Sequence, residues 1–170
     1  MIVQGTAWKY GDSIDTDGIY PGKYLMLFDP AEVARHAMEG IDPEFRARVQ
    51  AGDLVVAGDN FGCGSAREQA AVALKGAGVG AVLAESFART FYRNAINVGL
   101  PVLLVPGITG LVETGHRLEV DLAAGRVTDL DSGKSLQADP LPEFVLRILA
   151  AGGAVPFYAP RLARQRSAPH

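Results

Sequence analysis

Gly58-Asp59-Asn60-Phe61-Gly62-Cys63-Gly64-Ser65-Ala66-Arg67-Glu68-Gln69 separates two segments of opposite character. Ahead of it, Asp53-Leu54-Val55-Val56-Ala57 is a short apolar run that reads as a buried strand. Behind it, Ala70-Ala71-Val72-Ala73-Leu74-Lys75 consists of helix formers. Glycines at 58, 62 and 64 allow backbone turns that a side chain would block. Ser65 stands where a helix N-cap belongs, and Glu68 follows three residues on, the spacing of a capping box. Strand, glycine loop and helix start together present unpaired backbone N–H groups beside Arg67, which makes an anion site. The same string also serves as a plain strand-to-helix joint with Ser65 as its cap, and the local pattern leaves both readings open. Three familiar sites are excluded. A phosphate loop needs a lysine between Gly64 and Ser65; a dinucleotide loop needs glycine where Arg67 stands, and Glu85 only weakly echoes its acidic ribose ligand. Gly62 to Ala66 does not form the G-x-S-x-G elbow of a serine hydrolase.

Around this loop, 170 residues suffice for one domain with a full core. A net charge of -3 gives no attraction to nucleic acid or an anionic membrane. No apolar run reaches membrane-spanning length. The lone Cys63 forbids an internal disulfide and fits a reducing cytoplasm. It also forbids a zinc or iron–sulfur site built from this chain's own thiolates. The histidines at 36, 116 and 170 are dispersed, so no metal site is expected here.

Along the chain, Ile2 to Tyr10 reads as an opening strand, followed by the turn-rich Gly11-Asp12-Ser13-Ile14-Asp15-Thr16-Asp17-Gly18. That loop is either simply polar or a hard-cation loop, though it lacks the ligand spacing of an EF-hand. Lys23-Tyr24-Leu25-Met26-Leu27-Phe28 is core or an exposed apolar wall. Asp29-Pro30 starts a helix through Met38, and Asp42-Pro43 another to about Gln50. After the loop helix come a strand (Ala81 to Ala84), a helix capped by Ser86 (Phe87 to Asn97), and a strand (Leu100 to Val105). This is the alternation of a parallel α/β fold. Arg89 and Arg93 lie four apart on that helix, as solvated charges or as a second anion contact. Arg117 to Leu122 and Arg126 to Leu130 alternate as a hairpin with one wet face. A last helix spans Pro142 to Ala151, and from Pro160 the arginine-rich end reads as a loose terminus.

Three stretches, in order and spacing, carry a resemblance. They are Asp15 to Leu25, Gly58 to Glu68 and Ser86 to Asn97, and the similarity spans residues 2 to 157. Together they resemble the swivel-domain branch of the aconitase superfamily, and within it the small subunits of 3-isopropylmalate dehydratase. The resemblance implies an α/β fold of the swivelling β/β/α type. Residues 1–160 would form one swivel domain and residues 161–170 a flexible tail. It implies a separate large subunit that carries a [4Fe-4S] cluster, a dicarboxylate substrate, and isomerisation by loss and return of water in leucine biosynthesis. Whether the isolated chain self-associates stays open.

By position, Ser65 is implied as the base that removes the proton beside a carboxylate, and Asp17 as the group assisting at the hydroxyl-leaving side. Arg67 is implied as the carboxylate clamp, with Gly64 and Ala66 lending backbone to the substrate. Serine is a poor base near neutral pH, so Ser65 needs helix-start N–H groups and Arg67 in a dry site. Arg67 suits a bidentate carboxylate contact better than lysine would. Two positions depart from the family pattern: Ala66 replaces a usual second serine, and Gln69 a frequent histidine. Met26 stands where members that take tricarboxylates have arginine. Its apolar side chain suits an isopropyl group and disfavours citrate and homoaconitate, since a buried unpaired carboxylate costs several kcal/mol. Citramalate and 2,3-dimethylmalate hydro-lyases remain alternatives, as does an anion-binding domain without turnover.

Overall fold

The computed structural model describes residues 1–166. Its strands are β1 (Ile2–Lys9), β2 (Leu54–Ala57), β3 (Ala81–Ala84), β4 (Val102–Leu104), β5 (Arg117–Asp121), β6 (Arg126–Asp129) and β7 (Ser135–Gln137). Its helices are α1 (Thr16–Ile19), α2 (Pro30–Ala34), α3 (Phe45–Arg48), α4 (Glu68–Gly76), α5 (Arg89–Val98), α6 (Ile108–Leu111), α7 (Glu143–Ala150) and α8 (Ala154–Arg166). The strands form one sheet in the order β4-β3-β2-β1-β5-β6-β7.

Strand β1 is the hinge of this order. On one side it pairs parallel with β2, Ala7 opposite Leu54; on the other it pairs antiparallel with β5, Val3 opposite Val120. The two halves differ in sequence for that reason. β2 and β3 read Leu-Val-Val-Ala and Ala-Val-Leu-Ala and are buried throughout, as parallel strands covered on both faces must be. β5 and β6 alternate buried and accessible residues, so one face stays wet. Successive crossovers from β2 through α4 and from β3 through α5 move the same way along the sheet. Right-handed connections then place their helices side by side, and α2 packs on α4, α4 on α5, and α5 on α7 and α8.

The sheet is also pinned by a charge. Asp53, 4% exposed at the foot of β2, accepts hydrogen bonds from Thr6 N (3.0 Å), Trp8 Nε1 (3.0 Å) and Gln50 N (2.8 Å). Three donors around one buried carboxylate fix β1 against β2.

Several sequence expectations change in detail. α4 begins at Glu68 with Arg67 at its cap position and no side-chain cap, so Ser65 is not the N-cap of that helix. α5 begins at Arg89 with Ala88 at its cap, and the Ser86 hydroxyl is engaged elsewhere. Asp29 does cap α2, accepting from Ala31 N at 3.2 Å. Asp42 caps nothing and accepts from the Tyr10 hydroxyl at 2.9 Å, while α3 spans only Phe45 to Arg48. β7 has too short and mixed a sequence to announce itself; its pairing with β6 creates it. At the end of the chain, α8 runs through Pro160 to Arg166, where composition suggests a loose terminus; residues 167–170 lie outside the described residues.

Asp53→Ala should lower unfolding free energy by about 3 kcal/mol, because it strands three buried donors. Urea denaturation against the native chain measures this, and a loss below about 1 kcal/mol would remove Asp53 from its pinning role.

Candidate active site

The three stretches singled out above lie just beyond the carboxyl ends of β1, β2 and β3, where open parallel sheets bind ligands. Backbone hydrogen bonds zip them together. Gly58 N donates to Gly11 O (3.1 Å), Ser13 N to Asp59 O (2.7 Å), Gly62 N to Ile14 O (2.8 Å) and Thr16 N to Cys63 O (2.8 Å). From the third stretch, Phe61 N donates to Ser86 O (3.0 Å) and Ala88 N to Phe61 O (2.9 Å).

Side chains reinforce the seam. Asp12 Oδ1 accepts from Asp59 N at 2.8 Å. The Ser86 hydroxyl accepts from Asn60 N (2.8 Å) and donates to Asp59 Oδ1 (2.9 Å). Beneath the loop, Phe61 meets Phe87 and Phe91 edge-on, with ring centroids 6.1 and 5.1 Å away. Gly62 presses on that pad with φ +80°, and a Cβ there would lie 2.2 Å from Phe91 Cγ. Only glycine fits that contact and that backbone angle.

The loop emerges from this support at Gly64, whose φ is +92°. Ser65 and Ala66 follow as exposed residues, and the Ser65 hydroxyl has no hydrogen-bond partner among the described residues. The uncapped start of α4 likewise keeps its orphan N–H groups free of any side chain. A hydroxyl committed to no fold contact beside free amide donors is what a reacting group requires.

Arg67 and Asp17, fifty residues apart in sequence, meet here. Arg67 Nη1 donates to Asp17 Oδ1 at 2.5 Å and to Tyr20 O at 3.3 Å. Gly22 N donates to the same Asp17 oxygen at 2.8 Å. The Arg67 side chain is 15% exposed, and its Nε and Nη2 have no hydrogen-bond partner among the described residues. One nitrogen thus orients the guanidinium, and the other edge of the fork stays open for a carboxylate. The sequence pattern contained both residues but not this pairing, since nothing in their spacing announces that α1 and α4 converge.

Met26 stands at 80% exposure on the segment between Tyr24 and Asp29, with Phe28 at 76%. Leu27 and Phe28 border a cavity of about 180 Å³ together with Val33, Glu68, Gln69 and Val72. The apolar run is therefore divided: Met26 and Phe28 form an exposed wall, while Tyr24, Leu25 and Leu27 are half-buried and pack against the core. The positioning roles of Ser86, Asp59 and Asp12 escape sequence reasoning, because each is an ordinary loop residue until the three loops are joined.

The Arg67 guanidinium, and next the Gly22 N–H, hold the Asp17 carboxyl below the usual aspartate range. A depressed acid keeps its partner above its unfolded pKa and loses it as pH falls through the folded one. The pair should therefore persist at neutral pH and part only in acid. Carboxyl carbon NMR should find the Asp17 midpoint lower in the native chain than in Arg67→Gln; equal midpoints would contradict the pairing.

Comparison with known proteins shows the family of the chain. Residues 14–106 match the model of the aconitase C-terminal domain. The chain is 56% identical over 154 residues to 3-isopropylmalate dehydratase small subunit 1 of Methanopyrus kandleri, covering 91% of each. It is 50% identical over 155 residues to the 2,3-dimethylmalate dehydratase small subunit of Eubacterium barkeri, covering 91% of this chain and 95% of that one. A crystal structure of 3-isopropylmalate dehydratase from Methanocaldococcus jannaschii superposes with a TM-score of 0.91 at 45% identity, covering 98% of both chains. With its three zipped loops and near-complete overlap with these relatives, the chain belongs to the aconitase C-terminal domain family, in the line of 3-isopropylmalate dehydratase small subunits.

Proposed function

We propose that this chain is the small subunit of a two-chain hydro-lyase that interconverts 2-isopropylmalate and 3-isopropylmalate in leucine biosynthesis, working in the cytoplasm. The observation that carries the reading is a Ser65 hydroxyl with no partner among the described residues, two positions ahead of Arg67, whose guanidinium has one edge unbonded. Dehydration of such a substrate needs a base at the carbon next to a carboxylate and a cation to hold that carboxylate.

Arg67 takes the carboxylate through its free Nε and Nη2, already aimed by Asp17 and the Tyr20 carbonyl. A carboxylate so held lends acidity to the neighbouring C–H as negative charge spreads onto its oxygens. Ser65 Oγ, ionised in the closed site, takes that proton and holds it while the hydroxyl group leaves the adjacent carbon with its bonding electron pair, as hydroxide. A hydroxide then adds to the alkene-diacid at the other carbon and Ser65 returns its proton to the first, so the isomerisation consumes no net water or proton. Asp17 has one oxygen committed to Arg67 and Gly22 and the other free to contact the departing hydroxyl. The Gly64 and Ala66 backbones lie on either side of Ser65 and line the path of the substrate.

A [4Fe-4S] cluster takes several thiolates, and Cys63 is the one cysteine of the chain. Nor do three His, Cys, Asp or Glu side chains converge on a common point among the described residues. These residues do not fit the cluster, which we assign to the large subunit. No helix of the described residues is long and apolar enough to cross a membrane.

A second reading has a specific support. The 2,3-dimethylmalate dehydratase relative is nearly as similar as the isopropylmalate one, and both substrates end in small alkyl groups. The Met26 wall suits either. Parallel turnover of both malates by one assembly decides between them.

Ser65→Ala in the co-purified two-chain assembly should lower kcat for 2-isopropylmalate by about 10²–10⁴-fold, read as alkene absorbance. Full activity would end the assignment. Met26→Arg should move the kcat/KM ratio toward homoaconitate by at least about tenfold, since arginine pairs the extra carboxylate. An unmoved ratio would take substrate choice away from this residue.

A further inference from the structure

The stem of the Met26 wall is tied to the segment that carries Asp17 by main-chain contacts, Gly22 N to Asp17 Oδ1 (2.8 Å) and the Tyr20 hydroxyl to Tyr24 O (2.7 Å), and its side chains gather on one further carboxylate. Within the wall, main-chain hydrogen bonds are local, from Leu25 N to Gly22 O (3.2 Å) and from Leu27 N to Tyr24 O (2.9 Å). The side chain that reaches outward is Tyr24 at its stem. The Tyr24 hydroxyl donates to Glu39 Oε1 at 2.6 Å, and its ring stacks on the His36 imidazole with centroids 3.6 Å apart. His36 Nδ1 lies 2.5 Å from Glu39 Oε2, and Lys23 Nζ lies 3.5 Å from Glu39 Oε1. Glu39 thus collects three groups, two of them from the stem of the wall.

The other side of Glu39 is fastened to the segment that carries Asp17. Met38 N donates to Ile19 O at 2.7 Å and Gly40 N to Gly18 O at 3.1 Å, so both neighbours of Glu39 are bonded to α1. Gly40 lies so close that a Cβ on it would stand 2.4 Å from the Asp17 carbonyl oxygen. The Tyr24 hydroxyl, ahead of the histidine and lysine, keeps the Glu39 carboxyl below the usual range, so it is charged at neutral pH.

We propose that Glu39 is a positioning residue for substrate choice: by holding Tyr24 and Lys23 it sets where Met26 stands relative to Asp17 and Arg67. Glu39 acts through Tyr24 and touches no substrate. The inference rests on the Met26 reading given above, and its test separates the two.

The assay is the two-chain assembly with 2-isopropylmalate and with citramalate, whose shorter alkyl group reaches the wall less. Glu39→Ala and Tyr24→Phe should each lower kcat/KM for 2-isopropylmalate about tenfold through KM, and that for citramalate less than about threefold. Glu39→Gln, which still accepts from the Tyr24 hydroxyl, should stay within about threefold on both. Tyr24→Phe removes one hydroxyl and serves if Glu39→Ala melts early. Met26→Ala is run alongside. If it shifts the ratio of the two substrates while Glu39→Ala and Tyr24→Phe do not, the Glu39 inference fails and the wall stands. If Met26→Ala leaves the ratio unmoved, the wall reading fails and Glu39 falls with it. Equal losses on both substrates would reduce Glu39 to general scaffolding and overturn the proposal.

Discussion

Backbone hydrogen bonds between loops that leave three neighbouring strands are the constraint on which the site depends. Parallel β1, β2 and β3 all end on the same side, so their exits are delivered together. Pairing Ile14, Thr16, Gly62, Cys63, Phe61, Ser86 and Ala88 consumes the polar main chain of those exits. Buried or half-buried main chain must find partners somewhere, and here each loop supplies the others. The consequence is a bonded main chain up to Cys63 and, among the described residues, no hydrogen-bond partner for Ser65 just past it. Ser65 stands at that boundary, carried by a fixed frame without being used by it.

Electrostatics follow from the same frame. Once Thr16 is bonded to Cys63, α1 lies against the start of α4, and the carboxylate of Asp17 meets the guanidinium of Arg67. The ion pair is largely solvent-accessible on the aspartate side, so it adds little to stability. Its value is orientation. An arginine has long, rotamer-rich reach; fixing one nitrogen against Asp17 and Tyr20 removes most of that freedom before a ligand arrives.

How far the sequence discloses this depends on range. The apolar runs of β2 and β3 and the alternation of β5 and β6 are local patterns, and each strand stands where its pattern puts it. The glycine loop is local too, and Gly62 and Gly64 adopt the positive φ that their residue type permits. Capping is where local reasoning fails. Ser65 and Ser86 have the composition of caps and cap neither α4 nor α5, because tertiary bonds claim Ser86 and the loop geometry carries Ser65 away. Asp42 is diverted in the same way by Tyr10. The Arg67–Asp17 pair and the Glu39 cluster join segments whose meeting is decided by the sheet: the resemblance implies Arg67 and Asp17 in one site but not their direct pairing, and no local pattern marks the Glu39 cluster.

On the proposed reading, the division of chemistry between two chains also has a physical reason. Ser65 is exposed, and in bulk water at neutral pH its hydroxyl keeps its proton, because an alkoxide is far too basic to persist there. The donors offered by α4 and Arg67 can lower that cost only where water is excluded, since their fields are weak in a high dielectric. Among the described residues Ser65 stays exposed, and the apolar side chains of Met26 and Phe28 are exposed as well. The same closure that brings a cluster-bearing surface over the loop would bury those side chains and dry the serine. On that reading a base that becomes basic only on assembly does not waste its proton transfer on solvent, and the separated small chain is expected to show no turnover.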